Sequence, residues 1–135
     1  MTNPDSPTPE PPPRRRGRRG LILAILLSPL ALFALYTWFA LHWDYSNGYR
    51  SGMLQKFSQR GWVCKTYEGE LWQSVGPNIA PVIWQFSVRD DQVVHGLDSL
   101  VGKQVRLHYT EHRGILVNCF GDTRYFVDSV TVVRE

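Results

Sequence analysis

Residues 83–109, IWQFSVRDDQVVHGLDSLVGKQVRLHY, decide how this chain folds. At the end of the stretch Val105, Leu107 and Tyr109 alternate with Gln104, Arg106 and His108, the two-residue period of a half-buried strand. At its start Trp84, Phe86 and Val88 fall on one side of another strand. Between the two the period changes. Val93, Val94, Leu97, Leu100 and Val101 recur at helical spacing, with Asp90 and Asp91 in front and Gly102 behind. The spacing predicts one helix over residues 90–101, set between two strands.

Working toward the N-terminus, residues 52–58 read as a short strand and Trp62 to Trp72 as a longer alternating one. Gly69 inside the latter points to a bulge or a close backbone approach. Gly76, Pro77 and Pro81 mark a loop. Toward the C-terminus, Arg113-Gly114 turns, residues 115–120 extend a ribbon, and residues 124–133 form the last strand. The order is three strands, one helix and two strands. It predicts a mainly β domain, a small five-stranded oligonucleotide/oligosaccharide-binding (OB) type Greek-key barrel with one helix. An SH3-like barrel or an open α+β sheet is the alternative.

Ahead of this domain, residues 21–43 contain no Asp, Glu, Lys or Arg. About 20 apolar residues cross a bilayer as a helix, so one transmembrane helix is expected here. Pro29 is tolerated in such a helix as a kink. Tyr36, Trp38, His42, Trp43 and Tyr45 have the composition of an interfacial belt. A cleaved signal would need small residues where these bulky ones stand. Residues 1–20 are rich in Pro and Arg and read as a disordered cytoplasmic tail. Residues 44–51, with Asn47-Gly48 as a turn signal, read as a juxtamembrane connector before a soluble domain at 52–135.

Charge is divided unevenly. Arg14, Arg15, Arg16, Arg18 and Arg19 precede the apolar run, whereas residues 44–135 hold ten basic and ten acidic side chains. The positive-inside rule therefore places the N-terminus in the cytoplasm and the C-terminal domain on the outer side of the membrane. The neutral domain lacks the basic footprint of a nucleic-acid binder. Cys64 and Cys119 are the two cysteines and form a possible disulfide in an oxidising compartment; two buried thiols are the other reading.

The run Tyr45-Ser46-Asn47-Gly48-Tyr49-Arg50-Ser51-Gly52, followed by Lys65-Thr66-Tyr67-Glu68-Gly69-Glu70-Leu71, Trp84-Gln85-Phe86-Ser87-Val88 and Cys119-Phe120-Gly121, resembles a group of bacterial single-pass inner-membrane proteins with no assigned activity. The resemblance spans residues 45–130. Such relatives often carry the label 6-phosphogluconate dehydrogenase. Hydride transfer of that kind needs a dinucleotide site, usually a GxGxxG turn, and this sequence contains none. No cofactor is expected.

Several constellations invite chemistry. His108 to His112 spells H-x-x-E-H, a zinc-peptidase pattern when helical. On a strand the two imidazoles stand roughly 13 Å apart, too far to share one metal, so no metal site is expected. Glu68 and Glu70 share a strand face and are the acid–base candidates for a small membrane-anchored enzyme; a solvated face is the plainer reading. Lys56, Lys65, Arg106 and Arg124 with Trp72, Trp84 and Tyr109 would suit a cytoplasmic OB-type nucleic-acid binder, against the neutral charge. The expected binding face is Lys56, Lys65, Glu68, Glu70, Trp72 and Trp84, and Tyr45, Arg50 and Gly52 are expected to seat the domain at the membrane. The leading expectation is a non-enzymatic binding or scaffold module, tethered in the bilayer and contacting an envelope protein or polymer.

Overall fold

The computed structural model describes residues 16–134. These divide into two compact units, one ending at Leu35 and one beginning at Tyr36. Helix α1 (Arg16–His42) supplies the described residues of the first and opens the second. It is long and apolar enough to cross a membrane over Gly17–His42. Among the described residues the helix covers Arg16 onward, reaching ahead of the span expected at residue 21, because Arg is a good helix former and the ladder propagates once nucleated. The tail expected for residues 1–15 lies outside the described residues.

The second unit is a five-stranded closed barrel in the order β1-β2-β3-β5-β4. Its strands are β1 (Ser46–Arg60), β2 (Thr66–Gln73), β3 (Val82–Val88), β4 (Gln104–Glu111) and β5 (Tyr125–Val132). Helix α2 (Asp91–Asp98) sits between β3 and β4, as the change of period predicts. Asp90 caps it, its Oδ1 accepting from Gln92 N at 2.8 Å. Val93, Val94 and Leu97 are buried as α2 packs against β5 and β3. The core is filled by Leu54, Leu71, Phe86, Val88, Val105, Leu107 and Val127.

Closure depends on β1, which pairs with β4 through its first half and with β2 through its second. A bulge between Leu54 and Lys56 marks the change of partner. There the β1 backbone also bonds the segment after α2, Gly102 N donating to Leu54 O at 2.7 Å and Leu54 N to Lys103 O at 3.1 Å. Gly52 stands against the Trp72 carbonyl, where a Cβ would overlap it. Gly69 serves the same end inside the barrel: the Phe86 ring occupies the space that its side chain would take.

Four expected segments are corrected. Residues 46–51 are strand, not connector, because Asn47 and Gly48 pair with Thr110 and Tyr109 and this pairing overrides the local turn signal. Arg50 and Gly52 thus belong to the barrel wall. Trp62 to Lys65 is a loop before β2, since Gly61 adopts φ +126° and ends the ladder. Residues 115–120 carry no strand pairing; they lie in the long β4–β5 loop. The helix ends at Asp98, four residues before Gly102.

Two of the ties on that loop fix it to the β1–β2 side of the barrel. Cys64 and Cys119 are disulfide-bonded, Cα atoms 4.8 Å apart, linking it to the β1–β2 loop. The second tie is Glu68, 6% exposed. Its Oε2 accepts from Ser87 Oγ at 2.7 Å and its Oε1 from Asp122 N at 3.0 Å. Thr123 N then donates to Ser87 Oγ at 3.1 Å. Gly121 allows the approach, because a Cβ there would meet Ser87 at 2.7 Å and the Phe126 ring at 2.8 Å.

Glu68→Ala removes an acceptor from two donors, and hydrogen bonds to a charged group contribute about 1.5–3 kcal/mol each. The variant is expected to lose amide-exchange protection at Asp122 and Thr123 while the barrel strands keep theirs; unchanged protection would show that the disulfide and the remaining bonds fix the loop without Glu68. Gly69→Ala is expected to cost about 1–3 kcal/mol by overpacking against Phe86. Urea unfolding of the full chain in detergent reads this, and a shift below about 0.5 kcal/mol would mean that the ring relocates freely.

Candidate functional site

The outer face of β1, β2 and β3 carries three cross-strand rows. Met53, Trp72 and Ile83 form the first, all three apolar and exposed. Lys56, Glu70 and Gln85 form the second. Ser58, Glu68 and Ser87 form the third, and here Asp122 and Thr123 of the β4–β5 loop fold over the sheet. A shallow pocket opens between the second and third rows, with Lys56, Glu70, Gln85 and Asp122 on its walls. The face therefore grades from apolar, through charged, to covered. Cross-strand neighbours stand close enough for one ligand to touch two rows.

Of the expected binding face, Lys56, Glu70 and Trp72 share this surface. Lys65 is exposed in the β1–β2 loop. Glu68 and Trp84 are corrections. Glu68 is buried in the loop tie, its two oxygens occupied. Trp84 is 6% exposed and points into the barrel, because its strand turns Trp84, Phe86 and Val88 to the core.

Trp84 instead belongs to an aromatic box. Its ring centroid lies 5.2 Å from Tyr109 and 5.5 Å from Tyr125, and the two tyrosines are 5.6 Å apart, edge to face. Arg50 fills the box. Its guanidinium sits 4.9 Å from the Trp84 centroid and 5.6 Å from that of Tyr109, and Nη1 donates to Gln73 Oε1 at 3.2 Å. Trp84 Nε1 is buried and has no hydrogen-bond partner among the described residues. Sequence reasoning placed Arg50 at the membrane connector; the alternation of Arg50, Gly52 and Leu54 toward the core was the available signal.

The H-x-x-E-H residues serve separate partners. His108 Nδ1 donates to Asp128 Oδ1 at 2.6 Å. Glu111 is buried, with Oε1 3.2 Å from Arg113 Nε and 3.8 Å from Arg124 Nη1. His112, also buried, meets the Phe126 ring and places Nδ1 3.3 Å from the Trp43 carbonyl. Among the described residues no group of three His, Cys, Asp or Glu side chains is arranged to hold a metal ion.

Tyr45 packs beneath Arg113, whose guanidinium lies 3.7 Å from the ring centroid. Sequence reasoning did not foresee the exposed pair beside Cys64. Trp62 is 103% exposed and Val63 95%, and both line one depression with Leu116. The signal was the missing alternation between Trp62 and Thr66.

No curated protein sequence matches the chain. Among solved structures it is similar to a mitochondrial single-stranded DNA binding protein from S. cerevisiae, at 8% identity and a TM-score of 0.52, over 68% of this chain and 97% of that one. The similarity shows an OB-type fold. Residues 44–131 match the family model described as a domain of unknown function, DUF8785, and the chain belongs to that family.

Proposed function

We propose that this chain is a non-enzymatic binding module of the bacterial envelope, tethered by α1 in the inner membrane with its barrel in the periplasm. It engages an envelope protein or polymer through the open rows of the β1–β2–β3 face. The observation that carries this reading is the exposed row Met53–Trp72–Ile83 lying against Lys56–Glu70–Gln85. A large aromatic beside apolar neighbours and a charged row has the composition of an interface centre with its rim. The OB fold commonly binds its ligands across strands 2 and 3. The reading borrows that habit by analogy.

Orientation is supported by the arginines ahead of α1 and by the Cys64–Cys119 bond, which suits an oxidising space. The resemblance of the motifs to bacterial inner-membrane proteins points the same way. An enzyme built on Glu68 and Glu70 is disfavoured, since Glu68 already accepts two structural hydrogen bonds. Nucleic acid is disfavoured because residues 44–135 balance ten basic against ten acidic side chains. Moreover, of the expected stacking platforms Trp72, Trp84 and Tyr109, the last two are held within the Arg50 box and Trp72 alone of the three stays on the open face.

Two measurements test this. In intact cells, a membrane-impermeant thiol reagent is expected to label the protein only after an impermeant reductant. Labelling that requires opened cells would put the barrel in the cytoplasm. A photo-crosslinking side chain at Ile83 or Gln85 is expected to capture one discrete partner, with capture falling at least tenfold in Trp72→Ala. No adduct from either site in a folded, correctly oriented protein would remove this face as the binding surface.

A further inference from the structure

The β4–β5 loop passes beside the last turns of α1. Tyr36 Oη donates to Gly114 O at 2.9 Å. Gly114 has φ +82°, and a Cβ there would lie 2.8 Å from that hydroxyl, so the approach needs glycine twice over. Tyr36 precedes His42, the last residue of α1, by six positions. At 1.5 Å per residue this is about 9 Å along the helix. The loop therefore comes down alongside the helix rather than standing above its end.

If α1 spans the bilayer, this depth lies within the interfacial zone set by Tyr36, Trp38, Trp43 and Tyr45. The Tyr36 hydroxyl satisfies the Gly114 carbonyl at that depth and holds the loop to the helix. Arg113 is likewise suited to the zone: its Nε lies 3.2 Å from Glu111 Oε1 and its guanidinium covers the Tyr45 ring. Two residues beyond Gly114, Leu116 is 70% exposed. The Cys64–Cys119 bond brings Trp62 and Val63 to the same depression, both almost wholly exposed. Such side chains in water are unexplained, whereas Trp and aliphatic residues flanked by arginine match a lipid interface. Arg60 and Arg124, both exposed near this tip, would meet anionic head groups.

We propose that the disulfide-bridged tip formed by Leu116, Val63 and Trp62 inserts into the lipid interface beside α1, giving the domain a second membrane contact. The inference rests on the membrane-spanning reading of α1 and adds a lipid-binding surface to it.

The test uses the full chain in vesicles of phosphatidylcholine and phosphatidylglycerol. Because the native cysteines are bridged, an introduced cysteine is the one free thiol and can carry a nitroxide. Leu116→Cys and Val63→Cys report on the tip, Leu30→Cys on the span and Gln85→Cys on the outer face of β3. All four positions are exposed in the chain, so labelling leaves the core intact. Collision with oxygen, which concentrates in lipid, is compared with collision with a water-soluble nickel chelate. The expected result is severalfold shielding from nickel at 116, 63 and 30 relative to 85. Nickel access at either tip position with Leu30 shielded would overturn the tip contact and leave the tether standing. Nickel access at Leu30 as well would overturn both readings.

Discussion

Met53 pairs with Trp72 on one flank and with Gln104 on the other, and the barrel depends on that double engagement. One strand must satisfy two neighbours running away from each other, so it has to bend sharply. The bulge after Leu54 supplies the bend, and Gly52 removes the side chain that would strike the Trp72 carbonyl. Once β1 is bent, its first half is paired with β4 and its second with β2, and the ring closes with β3 beside β5. That pairing is the shortest in the barrel, two residue pairs, Ser87 with Phe126 and Val88 with Val127. The Glu68–Ser87–Thr123 bonds and the disulfide reinforce this weakest seam.

How much of this was legible in the sequence follows from the range of each interaction. The β3–α2–β4 stretch was readable because its periodicity is local: Trp84, Phe86 and Val88 alternate, and Val93, Val94 and Leu97 recur on one helix face. Together with the strands on either side it led to the five-stranded OB-type reading. The first half of β1 was missed because its signal is non-local. Asn47-Gly48 is a turn by chemistry, and only the partner Thr110-Tyr109, some sixty residues on, makes it a strand. Glu68 was legible as a polar face residue but not as a tie, since its partners Ser87 and Asp122 come from distant segments. Trp72 remained a surface residue and Trp84 became a core one although both were grouped together. Their strands meet in an offset register, Leu71 facing Trp84, so equal chemistry ended on opposite faces.

The Arg50 box illustrates the same point at the level of charge. A cation on a strand that follows a long apolar helix invites an electrostatic explanation. In the structure its guanidinium lies among three aromatic faces and bonds Gln73, so it closes one part of the barrel mouth by packing. Charge that had been assigned to the surface thus contributes to internal order, and the groups left for recognition are fewer: Lys56, Glu70 and Gln85, with the apolar row beside them.

The join between α1 and β1 has a consequence for where the protein can act. The helix ends at His42 and the barrel begins at Ser46, leaving three residues between them. A fully extended triplet spans only about 10 Å. A compact domain of this size has a radius of gyration of about 12 Å. The barrel on such a short stalk has almost no search volume of its own. With α1 in the bilayer as proposed, whatever the barrel meets would have to present its binding surface close above the membrane or travel in the same plane, so encounters would take place in two dimensions, and the partner's surface density rather than its bulk concentration would set their frequency.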